Sequence, residues 1–263
     1  MELKSKYKIE YKEIRRGKNT QHLYVVNNIA YPSVSSIIGI VDDEKSARLS
    51  NWAKRTAIDN IKNELKNRIN KRIKITDKLI DELCKIASKA PDRQKEEATD
   101  IGTQVHNAID DMITSKDDFE KHLLCDRAKS SFENFLKWFN FNGYKFISGD
   151  LPVVSLEFGY GGRLDAIATA GDDIILLDWK TSNDIRNTYA LQVAAYAIAL
   201  KETYDIEPKR AFVVKFAKDE FDKDGNKIEQ VSEKEVNLDE AKKSFLASLR
   251  LYYAMKDKEK LFI

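Results

Sequence analysis

The sequence predicts an α/β fold: a central mixed β-sheet flanked by helices, with a helical N-terminal lobe. Two observations carry this. Residues 164–170 and 173–179 are both rich in Ile, Leu and Ala and are separated by Gly171-Asp172, a favoured two-residue hairpin turn. An apolar helix at 184–201 and a further apolar strand at 210–216 follow, the alternation of strand and helix that an α/β fold needs.

Taken in order, residues 7–13 and 22–26 read as strands, and Asn27-Asn28 as a turn into residues 29–31. Ser33 or Ser35 is positioned to cap a short helix. Helical periodicity then covers residues 44–69, 77–89, 92–114 and 118–142, punctuated by Thr76 and Pro91. From Tyr144 the pattern changes to strands at 144–147 and 153–158, then the hairpin and the helix at 184–201. The strand at 210–216, a turn at Asp224-Gly225, a strand at 227–236 and an amphipathic helix at 238–255 close the order. Domains are expected at residues 1–143 and 144–263, packed as one integrated unit. Phe132, Phe135, Trp138 and Phe139 are spaced to pack one helix face into a core.

The hairpin register places the chemistry. If Ala170 faces Asp173, Asp165 lies opposite Asp178 and Arg163 opposite Lys180, so Asp165, Asp178 and Lys180 share a face. Directly opposed Cβ atoms lie about 5 Å apart, and like charges so placed repel unless a cation sits between them. Both hairpin faces look buried, and burying an unpaired charge costs several kcal/mol. A divalent cation satisfies the pair; so does a salt-bridged cluster with Arg163 and Lys180. Two carboxylates with room for water suit Mg²⁺ or Mn²⁺ better than zinc.

Composition sets limits. The 263 residues are 42% hydrophobic, enough for a sizeable core, and the formal net charge of +2 excludes a uniformly basic nucleic-acid coat. Lys54, Arg55, Lys62, Lys66, Arg68, Lys71, Arg72, Lys74 and Lys78 nonetheless give the first half a local positive excess. Two distant cysteines, Cys84 and Cys125, argue for a reducing compartment and against structural zinc. The N-terminal residues lack an apolar signal core, and no run approaches membrane-spanning length, so a cytoplasmic protein is expected.

Gly162-Arg163-Leu164-Asp165, then Asp178-Trp179-Lys180, then Gln192 and Tyr196 one helical turn apart, resemble the PD-(D/E)XK nuclease superfamily and its RecB-like exonuclease branch. Upstream, Gly102-Thr103-Gln104-Val105-His106 is similar to the Gly-Thr-x-x-His segment of that branch. Tyr31-Pro32-Ser33-Val34 with Asn51-Trp52-Ala53 resembles the start of phage-encoded members. The resemblance implies a restriction-endonuclease-like core and a metal-dependent DNA exonuclease acting on single strands or duplex ends, in recombination, repair or replication. Asp165, Asp178 and the backbone carbonyl of Trp179 would hold Mg²⁺ or Mn²⁺, and Lys180, with a lowered pKa, would orient or deprotonate the attacking water.

Glu157 resembles the branch's additional acid, and a solvated edge glutamate is the other reading. His106 would touch the metal or the scissile phosphate. Gln192 and Tyr196 would steady Lys180 or the DNA backbone, or else satisfy buried carbonyls. Arg163, Thr181 and Ser182 would contact DNA. The iron–sulfur cluster of some branches needs four cysteines, which this chain lacks. Partners implied are DNA and replication or recombination proteins.

Overall fold

The computed structural model describes the chain except residues 1–2, 17–18, 43, 70–73, 115–123, 183, 223–224 and 258–263. Lys71 and Arg72, the beginning of the helix expected at 118, and half of the Asp224-Gly225 turn lie outside the described residues. Two compact units form: residues 42–103, and residues 1–41 together with 104–263.

The first unit is a helical pair, α2 (Glu44–Ile69) and the leading part of α3 (Asp77–Ile113). The buried Thr56 donates to Gln94, and Arg68 on α2 pairs with Glu82 on α3 at 3.1 Å, contacts whose order makes the helices antiparallel. Sequence reading divides α3 at Pro91, yet the helix runs through it. Proline forfeits one backbone donor and crowds the preceding turn. Here Arg93 Nη2 reaches the Ile86 carbonyl at 3.4 Å, and buried residues flank the proline along the helix, Leu79, Leu83, Ala87 and Ala90 before it and Ile101, Val105, Ala108 and Ile109 after it.

In the other unit, β1 (Glu10–Arg16), β2 (Asn19–Val26) and β3 (Ile29–Pro32) form an antiparallel meander. Asn27 and Asn28 both have positive φ, as a type I′ hairpin turn requires. Ser33 caps the short α1 (Val34–Ile38), its hydroxyl accepting from Ser36 N–H.

The larger sheet orders β4 (Lys145–Ser155), β5 (Tyr160–Ala170), β6 (Asp173–Lys180), β7 (Arg210–Phe216) and β8 (Val231–Glu235). Only β6 and β7 run parallel, joined through α5 (Asn187–Tyr204); the result is a mixed five-stranded sheet flanked by helices, consistent with a restriction-endonuclease-like fold. Gly171 takes φ of 64°, and the β5–β6 register from Ala170 opposite Asp173 to Ala166 opposite Leu177 is the expected one. The strands expected at 144–147 and 153–158 are one strand. A bulge between Phe146 and Ser148, and a left-handed Asp150 with φ of 49°, interrupt the alternation without breaking the ladder.

The sheet faces divide the core. Trp179 and Phe216 pack against α4 (Asp126–Asn142), where Phe135 lies 5.7 Å from Trp179 and 5.5 Å from Phe216 in edge-on contacts. Phe141, on the far side of α4, is exposed. The opposite face, through Ile167, Leu176, Ala211 and Val213, joins a cluster with α1, α5 and α6 (Leu238–Lys256). Strand alternation puts Asp178 and Lys180 on this second face, since Trp179 between them points to the first. No helix among the described residues is long and apolar enough to cross a membrane.

Candidate active site

The β5–β6 ladder ends at Ala166 and Leu177, and the two acids stand one step beyond. There the Asp165 side chain replaces a backbone acceptor: its Oδ2 takes the Trp179 N–H at 2.7 Å. Its other oxygen lies 3.3 Å from His106 Nδ1. A carboxylate fastened at both oxygens has a fixed orientation. The strand register is the sequence-derived one as far as Ala166 and Leu177, and the strands part where the two acids stand.

Asp178 is 1% exposed, and Lys180 Nζ sits 2.5 Å from its Oδ2. Asp178 Oδ1 is buried with no hydrogen-bond donor among the described residues, and Oδ2 is met only by the Lys180 ammonium. Burial, with repulsion from Asp165, raises the Asp178 pKa to about 6 even though Lys180 opposes the change. Asp165 moves the other way: burial alone would raise its pKa, but His106, Lys180 and the Trp179 N–H together lower it. For His106, burial favours the neutral ring and Asp165 overcomes it, so its pKa is raised. Lys180 behaves likewise, burial being outweighed by Asp178 and Asp165. Two adjacent anions hold the proton on Lys180, while the lowered pKa expected from sequence concerns a lysine beside a bound metal.

Among the described residues no three His, Cys, Asp or Glu side chains converge as a ready metal cage. The available donors are two carboxylates and backbone or solvent oxygen. Asp178, buried with Oδ1 free of donors among the described residues and Oδ2 met only by Lys180, keeps acceptor capacity of the kind that a hard, oxygen-seeking divalent cation satisfies, so the residues fit Mg²⁺ or Mn²⁺.

Gln192 Nε2 donates to Tyr196 Oη at 2.8 Å, so the two residues expected to share a face of α5 bond to each other and not to sheet carbonyls. Tyr196 is buried, and burial followed by the charge of Asp178 raises its pKa well above the usual range, keeping the phenol protonated. Its ring packs closely against Gly162: a Cβ there would come within 2.4 Å of the ring, which explains a glycine at this point of the motif.

Other expected residues lie apart. Glu157 is exposed in the β4–β5 turn, where its N–H and that of Leu156 donate to Glu202. Tyr160 alone is already five strand residues, about 17 Å, from Asp165, so the structure does not bring Glu157 to the acids. The extended reading of 153–158 fails because the strand ends at Ser155 and turns. Arg163 does not join a cluster with the two acids; it is exposed and pairs with Asp150. Thr181 and Ser182 line a separate recess with Lys215 and Lys218.

Sequence reading missed Asn107, Asp110 and Asp150, which with His106, Asp165 and Trp179 line a recess. Asp110 is one helical turn beyond His106 and could have been found by that spacing. Asp150 could not, since the bulge at 146–148 shifts its register.

A family model of the PD-(D/E)XK nuclease superfamily matches residues 78–257. No curated protein matches the chain. Two solved structures are similar over part of it. One is an alkaline exonuclease (LHK-Exo) from Laribacter hongkongensis, at 15% identity over 49% of this chain and 71% of that one, with a TM-score of 0.29. The other is SSO0001, at 18% identity over 49% of this chain and 58% of that one, with a TM-score of 0.27. The family match spans the His106 helix, both acids, Lys180 and the Gln192–Tyr196 pair, and the chain belongs to the PD-(D/E)XK nuclease superfamily.

Proposed function

We propose that this protein is a Mg²⁺- or Mn²⁺-dependent deoxyribonuclease that hydrolyses phosphodiester bonds from single-stranded DNA or duplex ends. The observation that carries the reading is Asp178, buried on a central strand with Oδ1 lacking a donor among the described residues, close to Asp165 and paired with Lys180.

Asp165 and Asp178, with the Trp179 carbonyl, are the residues that would hold the cation. When bound, the metal neutralises the phosphodiester and lowers the pKa of its water. His106 and the Trp179 N–H keep the Asp165 carboxylate from rotating. Lys180, held as an ammonium, presents a fixed positive charge to the anionic phosphate and donates to its oxygens or to the attacking water. Gln192 and Tyr196 form a neutral hydrogen-bonded wall that screens the acids from bulk solvent. The preference for strand ends rests on the likeness of the Gly102-to-His106 segment to the exonuclease branch, a segment whose histidine lies against Asp165.

End-labelled single-stranded DNA, linear duplex and closed circular duplex, each with Mg²⁺, Mn²⁺ or EDTA, test this reading. Metal-dependent shortening of the linear substrates with intact circles is the expected result. Rapid cutting of circles would replace the exonuclease part with an endonuclease, and binding without cleavage under every metal would remove the catalytic claim.

A further inference from the structure

The Lys180 ammonium has a second partner outside the acid pair. Its Nζ lies 4.9 Å from the ring centroid of Tyr189, within the range at which a cation is attracted to an aromatic face. The ring is itself fixed. Its hydroxyl donates to Ser182 Oγ at 3.2 Å, and Ser182 in turn donates to the Asp184 carbonyl at 2.9 Å. Both belong to the connection between β6 and α5, and Tyr189 stands in the first turn of α5, three residues before Gln192. Arg186, just before that helix, places its guanidinium 5.9 Å from the same ring.

We infer that Tyr189 is a positioning residue for Lys180: its π face holds the ammonium over the reacting phosphate once the charge of Asp178 is committed to a cation. This rests on the nuclease reading above. Asp178 is the nearest anion to Lys180, at 2.5 Å. A divalent cation on that carboxylate weakens its pull on the lysine and adds like charge nearby. A second carboxylate at that point would compete for the metal. A neutral aromatic face attracts the ammonium and offers a hard cation no lone pair of comparable strength. The hydroxyl serves a different purpose, orienting the ring through Ser182, so ring and hydroxyl are separable by substitution.

The test uses the full chain. Tyr189→Leu removes the face, Tyr189→Phe keeps it without the hydroxyl, and 3,4,5-trifluorophenylalanine at 189 keeps the shape while abolishing the negative face. Loss of the face lowers kcat for DNA roughly five-fold with KM within about two-fold, and Tyr189→Phe restores kcat to within about two-fold. The second readout needs no activity. In ¹³C-lysine NMR, with the Lys180 signal assigned by Lys180→Arg, the ε-methylene protons carry an upfield ring-current shift that persists on adding Mg²⁺. That shift survives Tyr189→Phe and is lost in Tyr189→Leu. Wild-type kcat in the trifluoro variant, or an ε-methylene shift unaltered by Tyr189→Leu, would overturn the inference. A wild-type protein that cuts no DNA under any metal would instead defeat the nuclease reading, with the NMR shift still deciding whether Tyr189 holds Lys180. Should Tyr189→Leu fail to fold, the isosteric trifluoro variant alone decides.

Discussion

Replacing Asp178 with Asn should make the metal-free protein more stable while destroying its catalytic site. Burial and the neighbouring Asp165 raise the Asp178 pKa from 3.8 to about 6. A carboxyl whose folded value lies above its unfolded one binds its proton more readily when folded, so ionisation opposes folding. The destabilisation is absent below the unfolded value, grows as pH rises from 3.8 towards 6, and is complete above 6. The rise corresponds to about 3 kcal/mol for the ionised form at about pH 8, falling to about 1 kcal/mol at about pH 4.5. Asn keeps the shape and removes the charge, so it should recover these amounts. Denaturant unfolding in EDTA, followed by tryptophan fluorescence at both pH values, measures the difference directly. Adding Mn²⁺ should reverse the order, because binding to the folded wild type stabilises it by mass action and the variant has lost a ligand. A variant no more stable than wild type at about pH 8 in EDTA would refute the account of Asp178 as a charge held at a cost. So would a gain of equal size at both pH values.

Lys180→Ala should reduce kcat at least about 100-fold, the scale of losing one preorganised charge stabiliser, with Mn²⁺ uptake retained in calorimetry. Gly162→Ala should destabilise by roughly 1–3 kcal/mol, because the new Cβ would lie 2.4 Å from the Tyr196 ring and neither strand nor buried helix can move freely; urea unfolding reads it. Phe135→Ala, which empties the contact among Trp138, Trp179 and Phe216, should cost about 3–5 kcal/mol in the same assay and lower kcat only through the loss of folded protein.

The central hairpin was legible because two rigid rules act there together. A two-residue turn sets the register, and a side-chain period of two carries it to Ala166 and Leu177, the last paired residues before the two acids. The Gln192–Tyr196 pair was legible for the same reason, four residues being one helical turn. Elements whose shape depends on tertiary context were less so. Pro91 is a local breaker, but a buried stripe on either side outweighs it. Asp150 fell between the two strands expected at 144–147 and 153–158, which a bulge joins into one, and Glu157 lies past the strand end at Ser155. Tyr189 left no sequence signal: a partly apolar helix offers many aromatic positions, and only the fold shows which one lies under the lysine.

The end of the β5–β6 ladder links the fold to the chemistry. Had backbone pairing continued one step further, Asp165 would have been a passive side chain on a closed strand pair. Instead the ladder stops at Ala166 and Leu177, and the Asp165 carboxylate itself accepts the next N–H, from Trp179. That substitution keeps the backbone donor satisfied while the strands separate, so the parting carries no orphaned amide. It also orients one acid by the strand that bears the other, making the distance between the two carboxylates a property of the sheet and not of flexible side chains. The aromatic packing of Trp179 against Phe135 on the opposite face anchors that same residue. A site in which two like charges must stay close enough to share a cation needs a rigid support of this kind, since repulsion would otherwise drive mobile side chains apart whenever the metal leaves.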